Sequence, residues 1–349
     1  MIKFSSTSKL AFLLFSSLFF TVIFALSAAY SPAEAQLDSR TIECNPSNGS
    51  GGLAPGTYAD TTIAGQPAIV VVSENYDPAT PTFLAFYLHG DGGGYNFYSQ
   101  DGRPLNNLIR DNGWIFVSPQ SFVDSDSGVT RWWGGGVSSN ATGNAGIEAN
   151  AQLLEDVIED MYSKYNLCQN VLLGHSASGG SWFYDGYFVP TRGDRYPAFM
   201  NIACGSSGIT NSWAGFPFYS NLLTFNDNAS IQNRTQMHYT IGDEDFLFAP
   251  AERAIPHYQG RGFNVTTDIL PGVEHCDFDL SAKTIEYWTN VNNSITLSNG
   301  PVSTSTPSPT PTVAATLTPT ATAIPTQTPT PFPAGFLDEF SYLPLAVKE

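Results

Sequence analysis

The sequence predicts an α/β protein with a mostly parallel central sheet and helices on both of its faces. Short apolar runs bounded by turn residues alternate with amphipathic segments along the chain, and this alternation is typical of a parallel sheet whose strands are joined by helical crossovers. The runs predict buried strands. They cover residues 68–73, 83–89, 114–118, 171–174, 198–203, 237–241 and 265–270.

The helices are predicted from apolar residues that recur at spacings of three and four. The longest such segment, residues 153–162, predicts an amphipathic helix with one apolar face. Shorter helices are predicted at residues 105–110, 250–258 and 281–288. No internal repeat is evident.

The first 35 residues have the pattern of a secretory signal peptide. Lys3 and Lys9 precede an apolar run over residues 10–29, and a small-x-small triplet, Ala33-Glu34-Ala35, follows as a cleavage site. An uncleaved membrane anchor is the alternative, since about 20 apolar residues can cross a bilayer. Residues 36–298 are then long enough for one large α/β catalytic domain.

The C-terminal part has a different composition. Residues 299–335 are rich in Thr, Pro and Ser, which predicts an extended, disordered stalk because such a sequence cannot bury a core. A short tail, residues 336–349, follows. It is interpreted either as a sorting signal that attaches the protein to a cell surface or as an extension without a function.

Charge and cysteine content restrict the partners. The chain has 14 Lys and Arg against 31 Asp and Glu, a net charge of −17, which excludes nucleic acid because phosphate binding needs a basic surface. Four cysteines in an exported chain predict two disulfides, with three pairings open. These are Cys44, Cys168, Cys204 and Cys276. Their scattered spacing predicts no metal site.

A serine at a tight turn after a strand is the candidate nucleophile. The apolar run 171–173 leads directly into Gly174-His175-Ser176-Ala177-Ser178-Gly179-Gly180, and such a turn needs small residues two positions before and after the serine. Ser176 is preferred because it follows the strand more closely, and Ser178 is the alternative nucleophile.

The base and the acid are expected later in the chain, at the ends of two further strands. A serine needs an imidazole to take its proton, and the imidazole needs a carboxylate partner. The loop 242–245 supplies Asp245 as the candidate acid, with Asp243 in reserve. His275 is the candidate base, because His257 lies in a helical segment away from a strand end.

Glycines after another strand predict an oxyanion hole, since they let backbone N–H groups approach a developing negative charge. The loop is His89-Gly90-Asp91-Gly92-Gly93-Gly94. One donor is expected at Asp91 or Gly92, and the second at Ala177. A phosphate-binding loop is improbable because no lysine follows these glycines.

Two adjacent tryptophans, Trp132 and Trp133, lie in a glycine-rich segment. They are candidate substrate-binding residues that could stack on a sugar or an aromatic acyl group. The alternative is that one of them belongs to the core and the other has no function in binding.

These motifs together resemble the α/β-hydrolase superfamily, and within it the secreted esterases of the polyhydroxybutyrate-depolymerase and feruloyl/acetylxylan-esterase group. The resemblance covers about residues 67–288. It implies an α/β-hydrolase fold, a Ser176 nucleophile, a His275 base and an Asp245 acid. It departs from the G-x-S-x-G pattern in having Ser178 at the second glycine position. It rests on His89-Gly90-Asp91-Gly92-Gly93, Gly174-His175-Ser176-Ala177-Ser178-Gly179, Gly242-Asp243-Glu244-Asp245 and His275.

The sequence therefore predicts a secreted serine esterase that acts on a small-molecule or polymeric ester and needs no cofactor. Two alternatives stay open. One is a serine peptidase of the same fold, and the other is a catalytically silent binding module displayed on a stalk.

Overall fold

The structure is a computed structural model that describes residues 39–95, 104–124, 128–133, 144–207, 232 and 234–299. The predicted signal peptide, the stalk beyond residue 299 and the C-terminal tail lie outside these residues. Among the helices that are described, none is long and apolar enough to cross a membrane.

An eight-stranded sheet forms the centre of the protein, in the order β2-β3-β5-β4-β6-β7-β8-β9. Strand β3 pairs antiparallel with both β2 and β5, and the remaining neighbours pair in parallel. This confirms the predicted mostly parallel sheet. The strand predicted as buried at residues 265–270 is instead an edge strand, in which only Thr266 is buried. The strands are β2 Gly56–Ile63, β3 Gln66–Val72, β4 Leu84–Leu88, β5 Ile115–Pro119, β6 Leu172–Ala177, β7 Ala198–Ala203, β8 Gln236–Gly242 and β9 Asn264–Leu270.

The four predicted helices are present and extend beyond the predicted bounds, and two further short helices were not predicted. A short π-helical turn, Tyr184–Phe188, joins α3 to α4. The helices are α1 Pro104–Asp111, α2 Asn144–Lys164, α3 Gly179–Phe183, α4 Val189–Arg192, α5 Phe248–Gly260 and α6 Leu280–Ser294.

Each face of the sheet has its own apolar core, because successive side chains of a strand point to opposite sides. In β3, Val70 packs in the cluster that contains residues of α2 and α5. Its neighbour Val71 packs in the cluster that contains residues of α1 and α6. Helices therefore cover both faces, as predicted.

Three strands were not predicted. Strand β2 is an edge strand with mostly half-exposed or exposed residues, so it lacks the apolar run of a buried strand. Strands β1, Arg40–Cys44, and β10, Ile295–Asn299, form a separate two-stranded parallel sheet. Each has only five residues, too few for a clear periodicity.

Two disulfides join the four cysteines, as predicted, and the structure selects one of the three pairings. Cys44 pairs with Cys168, and Cys204 pairs with Cys276. Cys168 precedes β6, so the first disulfide lies at the edge of the sheet where the parallel strands begin. Asn299 is in register with Cys44, and the chain therefore leaves the described region near this edge.

Candidate active site

Ser178 occupies a sharp turn at the opposite edge, between β6 and α3. Its backbone angles, φ 50° and ψ −117°, are unfavourable for a residue with a side chain. The turn also packs tightly: a Cβ atom on Gly180 would lie 2.5 Å from the Leu88 carbonyl oxygen, and one on Gly205 would lie 2.5 Å from that of Ser178. This strained strand-turn-helix exposes a serine hydroxyl at the end of the sheet.

A chain of hydrogen bonds connects Ser178 to a buried carboxylate. Ser178 Oγ lies 2.9 Å from His275 Nε2, and His275 Nδ1 lies 2.9 and 3.0 Å from the two carboxylate oxygens of Asp245. An ionised carboxylate only accepts hydrogen bonds, so Nδ1 carries the proton. Nε2 is then free to accept the serine proton. Asp245 is itself held by the Leu247 N–H at 2.7 Å.

The geometry contradicts the preference for Ser176 as the nucleophile. Ser176 is buried within β6, where it pairs with Leu88 on one side and Ile202 on the other. Its hydroxyl lies 2.9 Å from Ser181 Oγ. The strand continues to Ala177, three residues further than predicted, and this extension moves the turn to the alternative residue, Ser178.

The predicted acid and base positions do come together. Asp245 and His275 are hydrogen-bonded, whereas the reserve residue Asp243 accepts the Gly272 N–H at 2.6 Å. Asp243 therefore connects the loop after β8 to the loop after β9. His257 lies within α5, as its helical surroundings indicated.

Two of the three predicted oxyanion donors need correction. The Gly92 N–H already donates to the Thr130 carbonyl at 2.9 Å, and Ala177 lies in β6 before the turn. Because Ser178 occupies the turn, the residue after the serine is Gly179 and not Ala177. Gly179 begins α3, and the first N–H groups of a helix have no acceptor within that helix. Asp91 lies in the predicted loop beside the serine.

His89 fixes this loop, a role that the sequence analysis did not assign. Its Nδ1 lies 2.8 Å from the Gly90 carbonyl, and its Nε2 accepts the Ser121 N–H at 3.1 Å. A carbonyl only accepts and an N–H only donates, so the ring carries its proton on Nδ1. Burial lowers the pKa of His89 to about 4, which keeps the ring neutral. The position of His89 at the start of the glycine loop was the feature of the sequence that could have indicated this role.

The two tryptophans have different environments. Trp132 is fully buried and packs on Phe183 and His89, with ring centroids 5.5 and 5.7 Å apart. It is a core residue, which corrects its prediction as a substrate contact. Trp133 is half-buried and lies beside Asp91.

Phe246 is an exposed aromatic residue that the sequence analysis missed. Phe246 directly follows Asp245 in the chain. Its side chain is 58% exposed, and its ring centroid lies 4.3 Å from that of His275. An apolar ring is thus placed at the mouth of the site. The position of Phe246 directly after Asp245 was the feature of the sequence that could have indicated this contact.

The disulfide Cys204–Cys276 holds the loop that carries His275. Cys276 directly follows His275, and Cys204 directly follows β7, which pairs with β6, the strand before Ser178. Both cysteines have positive φ angles, 41° and 54°. The bridge therefore links the loop of His275 to the central sheet.

Replacing both Cys204 and Cys276 by serine should lower kcat about 10- to 100-fold, because a His275 ring displaced by about 1 Å loses its alignment with Ser178. Ester hydrolysis by the purified variant is the measurement. The matched control replaces Cys44 and Cys168, whose bridge lies at the opposite edge of the sheet. This control should lose stability by about 2–5 kcal/mol and keep its kcat at low temperature. Equal losses of kcat in both variants would contradict this role of the bridge.

Within the described ranges, no group of His, Cys, Asp and Glu side chains is arranged to hold a metal ion.

A mostly parallel eight-stranded sheet with a serine at a strained turn after β6, followed in the chain by Asp245 and then His275, is the arrangement expected of the α/β-hydrolase fold. The chain has an α/β-hydrolase fold. No family profile matches the sequence, and no curated protein is significantly similar to it.

Solved structures of several hydrolases are similar to this chain at low sequence identity. The feruloyl esterase module from Clostridium thermocellum is 14% identical with a TM-score of 0.44, over 74% of this chain and 93% of that one. The Bacillus cereus carboxylesterase is 14% identical with a TM-score of 0.42, over 64% and 94%. An S-formylglutathione hydrolase from Agrobacterium tumefaciens is 12% identical with a TM-score of 0.45, over 68% and 94%.

Proposed function

We propose that this protein is a serine hydrolase of carboxylic esters, with Ser178 as nucleophile, His275 as general base and Asp245 as the orienting acid. The observation that carries the proposal is the continuous hydrogen-bonded chain from Ser178 Oγ through the His275 ring to the buried Asp245 carboxylate. A serine hydroxyl becomes an effective nucleophile in such an arrangement.

In the first half of the reaction, Ser178 Oγ attacks the ester carbonyl carbon while its proton passes to His275 Nε2. The carbonyl oxygen becomes an oxyanion, which the Gly179 N–H and the Asp91 N–H stabilise. The tetrahedral intermediate then collapses: the bond to the leaving alkoxide breaks, and His275 gives its proton to that oxygen. The alcohol leaves, and the acyl group remains on Ser178.

Water completes the cycle. His275 Nε2 takes a proton from a water molecule, whose oxygen attacks the acyl carbon of the acyl-enzyme. Collapse of the second tetrahedral intermediate breaks the bond to Ser178 Oγ, which recovers the proton from His275. The carboxylic acid is released, and Asp245 stabilises the imidazolium during both halves.

Two features favour an active enzyme with an accessible site over a silent binding module. A module without catalysis has no need of an aligned triad at a strained turn. Ser178 is half-exposed, and His275 keeps 26% of its side chain exposed. The exposed Phe246 offers an apolar contact for the ester at the mouth of the site. An open site of this kind suits a small-molecule ester or the chain of a polymeric one.

We also propose that the protein is secreted. The signal-peptide pattern over residues 1–35 supports export, and two disulfides are typical of an oxidising compartment. The tail over residues 336–349 is proposed as a surface-attachment signal at the end of the stalk.

Labelling of the purified full chain with a fluorophosphonate, followed by peptide mass spectrometry, tests the nucleophile. The expected result is one adduct, on Ser178, because only an activated serine reacts rapidly with such a probe. Hydrolysis of a matched ester and amide of the same acyl group then tests the substrate class, with the ester expected to be the better substrate. A folded protein that takes no label would contradict the proposal, and an amide cleaved as fast as the ester would favour a peptidase.

A further inference from the structure

The Asp91 side chain lies beside the proposed oxyanion hole, in addition to the backbone N–H of the same residue. Its two carboxylate oxygens each lie 2.9 Å from Trp133 Nε1, and Arg131 Nε lies 3.5 Å from Oδ2. One third of the side chain is exposed. The carboxylate is therefore held in a fixed position and is also partly exposed to solvent.

Glycine at position 179 makes room for this carboxylate. A Cβ atom on Gly179 would overlap Asp91 Oδ1, so the carboxylate occupies the place that a side chain after the nucleophile would fill. Gly90, which precedes Asp91 in the loop, lies close to Ser178, because a Cβ atom on Gly90 would be 3.1 Å from Ser178 Cβ. A negative charge thus lies next to the position of the reacting carbonyl.

The neighbouring cation does not cancel this charge. Arg131 is shared between two carboxylates, since its Nη1 lies 3.2 Å from Asp124 Oδ2, and the three groups together carry a charge of −1 when all are ionised. Burial raises the pKa of Asp91 to about 6, against the opposing effects of Arg131 and Trp133. At pH 8 the carboxylate is therefore ionised.

We infer that Asp91 is a specificity-determining residue that makes this site reject esters with an anionic acyl group and accept neutral or cationic ones. The inference rests on the proposed esterase function. Charges of the same sign a few ångströms apart repel each other, and a like charge placed against a substrate is a common means of excluding it. The net charge of −17 adds a weaker repulsion at longer range.

Three ethyl esters of similar size separate charge from shape: ethyl butyrate, ethyl succinamate and ethyl hydrogen succinate. Their hydrolysis by the full chain is measured at pH 8 and low salt as ethanol release. We expect kcat/KM for the succinamate to exceed that for the anionic succinate by about 10-fold or more, since about 1.4 kcal/mol of repulsion corresponds to a factor of ten. This ratio should fall as salt is added.

Asp91→Asn removes the charge and keeps an oxygen that can accept from Trp133 Nε1, so the loop should remain in place. The succinamate-to-succinate ratio should fall at least fivefold in this variant. The control Asp111→Asn removes the same charge from the exposed end of α1, at the opposite edge of the sheet, and should leave the ratio unchanged. Because the ratio is taken within one enzyme, a general loss of rate does not affect it.

A wild-type ratio near one, or a ratio that Asp91→Asn leaves unchanged, would overturn the inference while the esterase proposal stands on ethyl butyrate hydrolysis. No hydrolysis of any of the three esters by folded protein would overturn both.

Discussion

Ser178→Ala should lower kcat for ester hydrolysis by roughly 10⁶-fold, the effect of removing the serine of a catalytic triad. The variant loses the only atom that can form the acyl-enzyme, while its small side chain still fits the turn. Steady-state hydrolysis of a neutral ester is the measurement. Labelling by a fluorophosphonate should disappear in parallel.

Ser176→Ala is the matched control for this experiment. It removes a buried hydroxyl that bonds to Ser181 Oγ at 2.9 Å, so we expect a loss of stability of about 1 kcal/mol and little change in kcat. The opposite result, with activity lost in the Ser176 variant and retained in the Ser178 variant, would make Ser176 the nucleophile, as the sequence favoured.

Asp245→Asn should lower kcat about 10⁴-fold, with a smaller effect on KM. The amide that replaces the carboxylate can donate a hydrogen bond to His275 Nδ1, which places the ring proton on Nε2. In that tautomer the ring cannot accept the proton of Ser178. The pH dependence of kcat and the rate of fluorophosphonate labelling are the measurements, and labelling should slow with kcat.

Asp243→Asn is the comparison for this prediction, because it lies two residues away on the same loop. Its carboxylate accepts the Gly272 N–H, so we expect a modest loss of stability and a decrease of kcat below about 10-fold. A larger loss of activity in this variant than in Asp245→Asn would show that the acid had been assigned to the wrong residue.

The sequence predicted the loops of Asp245 and His275 better than it predicted the position of the sharp turn. Asp245 follows the buried strand β8 and His275 follows its neighbour β9, and the ends of neighbouring parallel strands meet at one edge of a sheet. The nucleophile depends on where β6 ends. His175 and Ala177 are not distinctive strand residues in the sequence, and only pairing with β7 up to Ala203 extends the strand to Ala177.

Adjacent residues of the same type are likewise distinguished only by tertiary packing. Trp132 and Trp133 are identical in type, yet one fills the core and the other bonds to Asp91. The charge of Asp91 beside the nucleophile also has no local signal, since it depends on Gly179 leaving space for it.

The sequence by itself determined the α/β class, seven of the eight strands of the central sheet, the helices on both faces and the loops that carry Asp245 and His275. It did so because burial on one or two faces leaves a periodic pattern in the chain. The tertiary structure decided the serine at the turn, the cysteine pairing, the edge strands and the surroundings of Asp91. Each of these depends on distances between segments far apart in sequence, and a local pattern of apolar and polar residues does not record such distances.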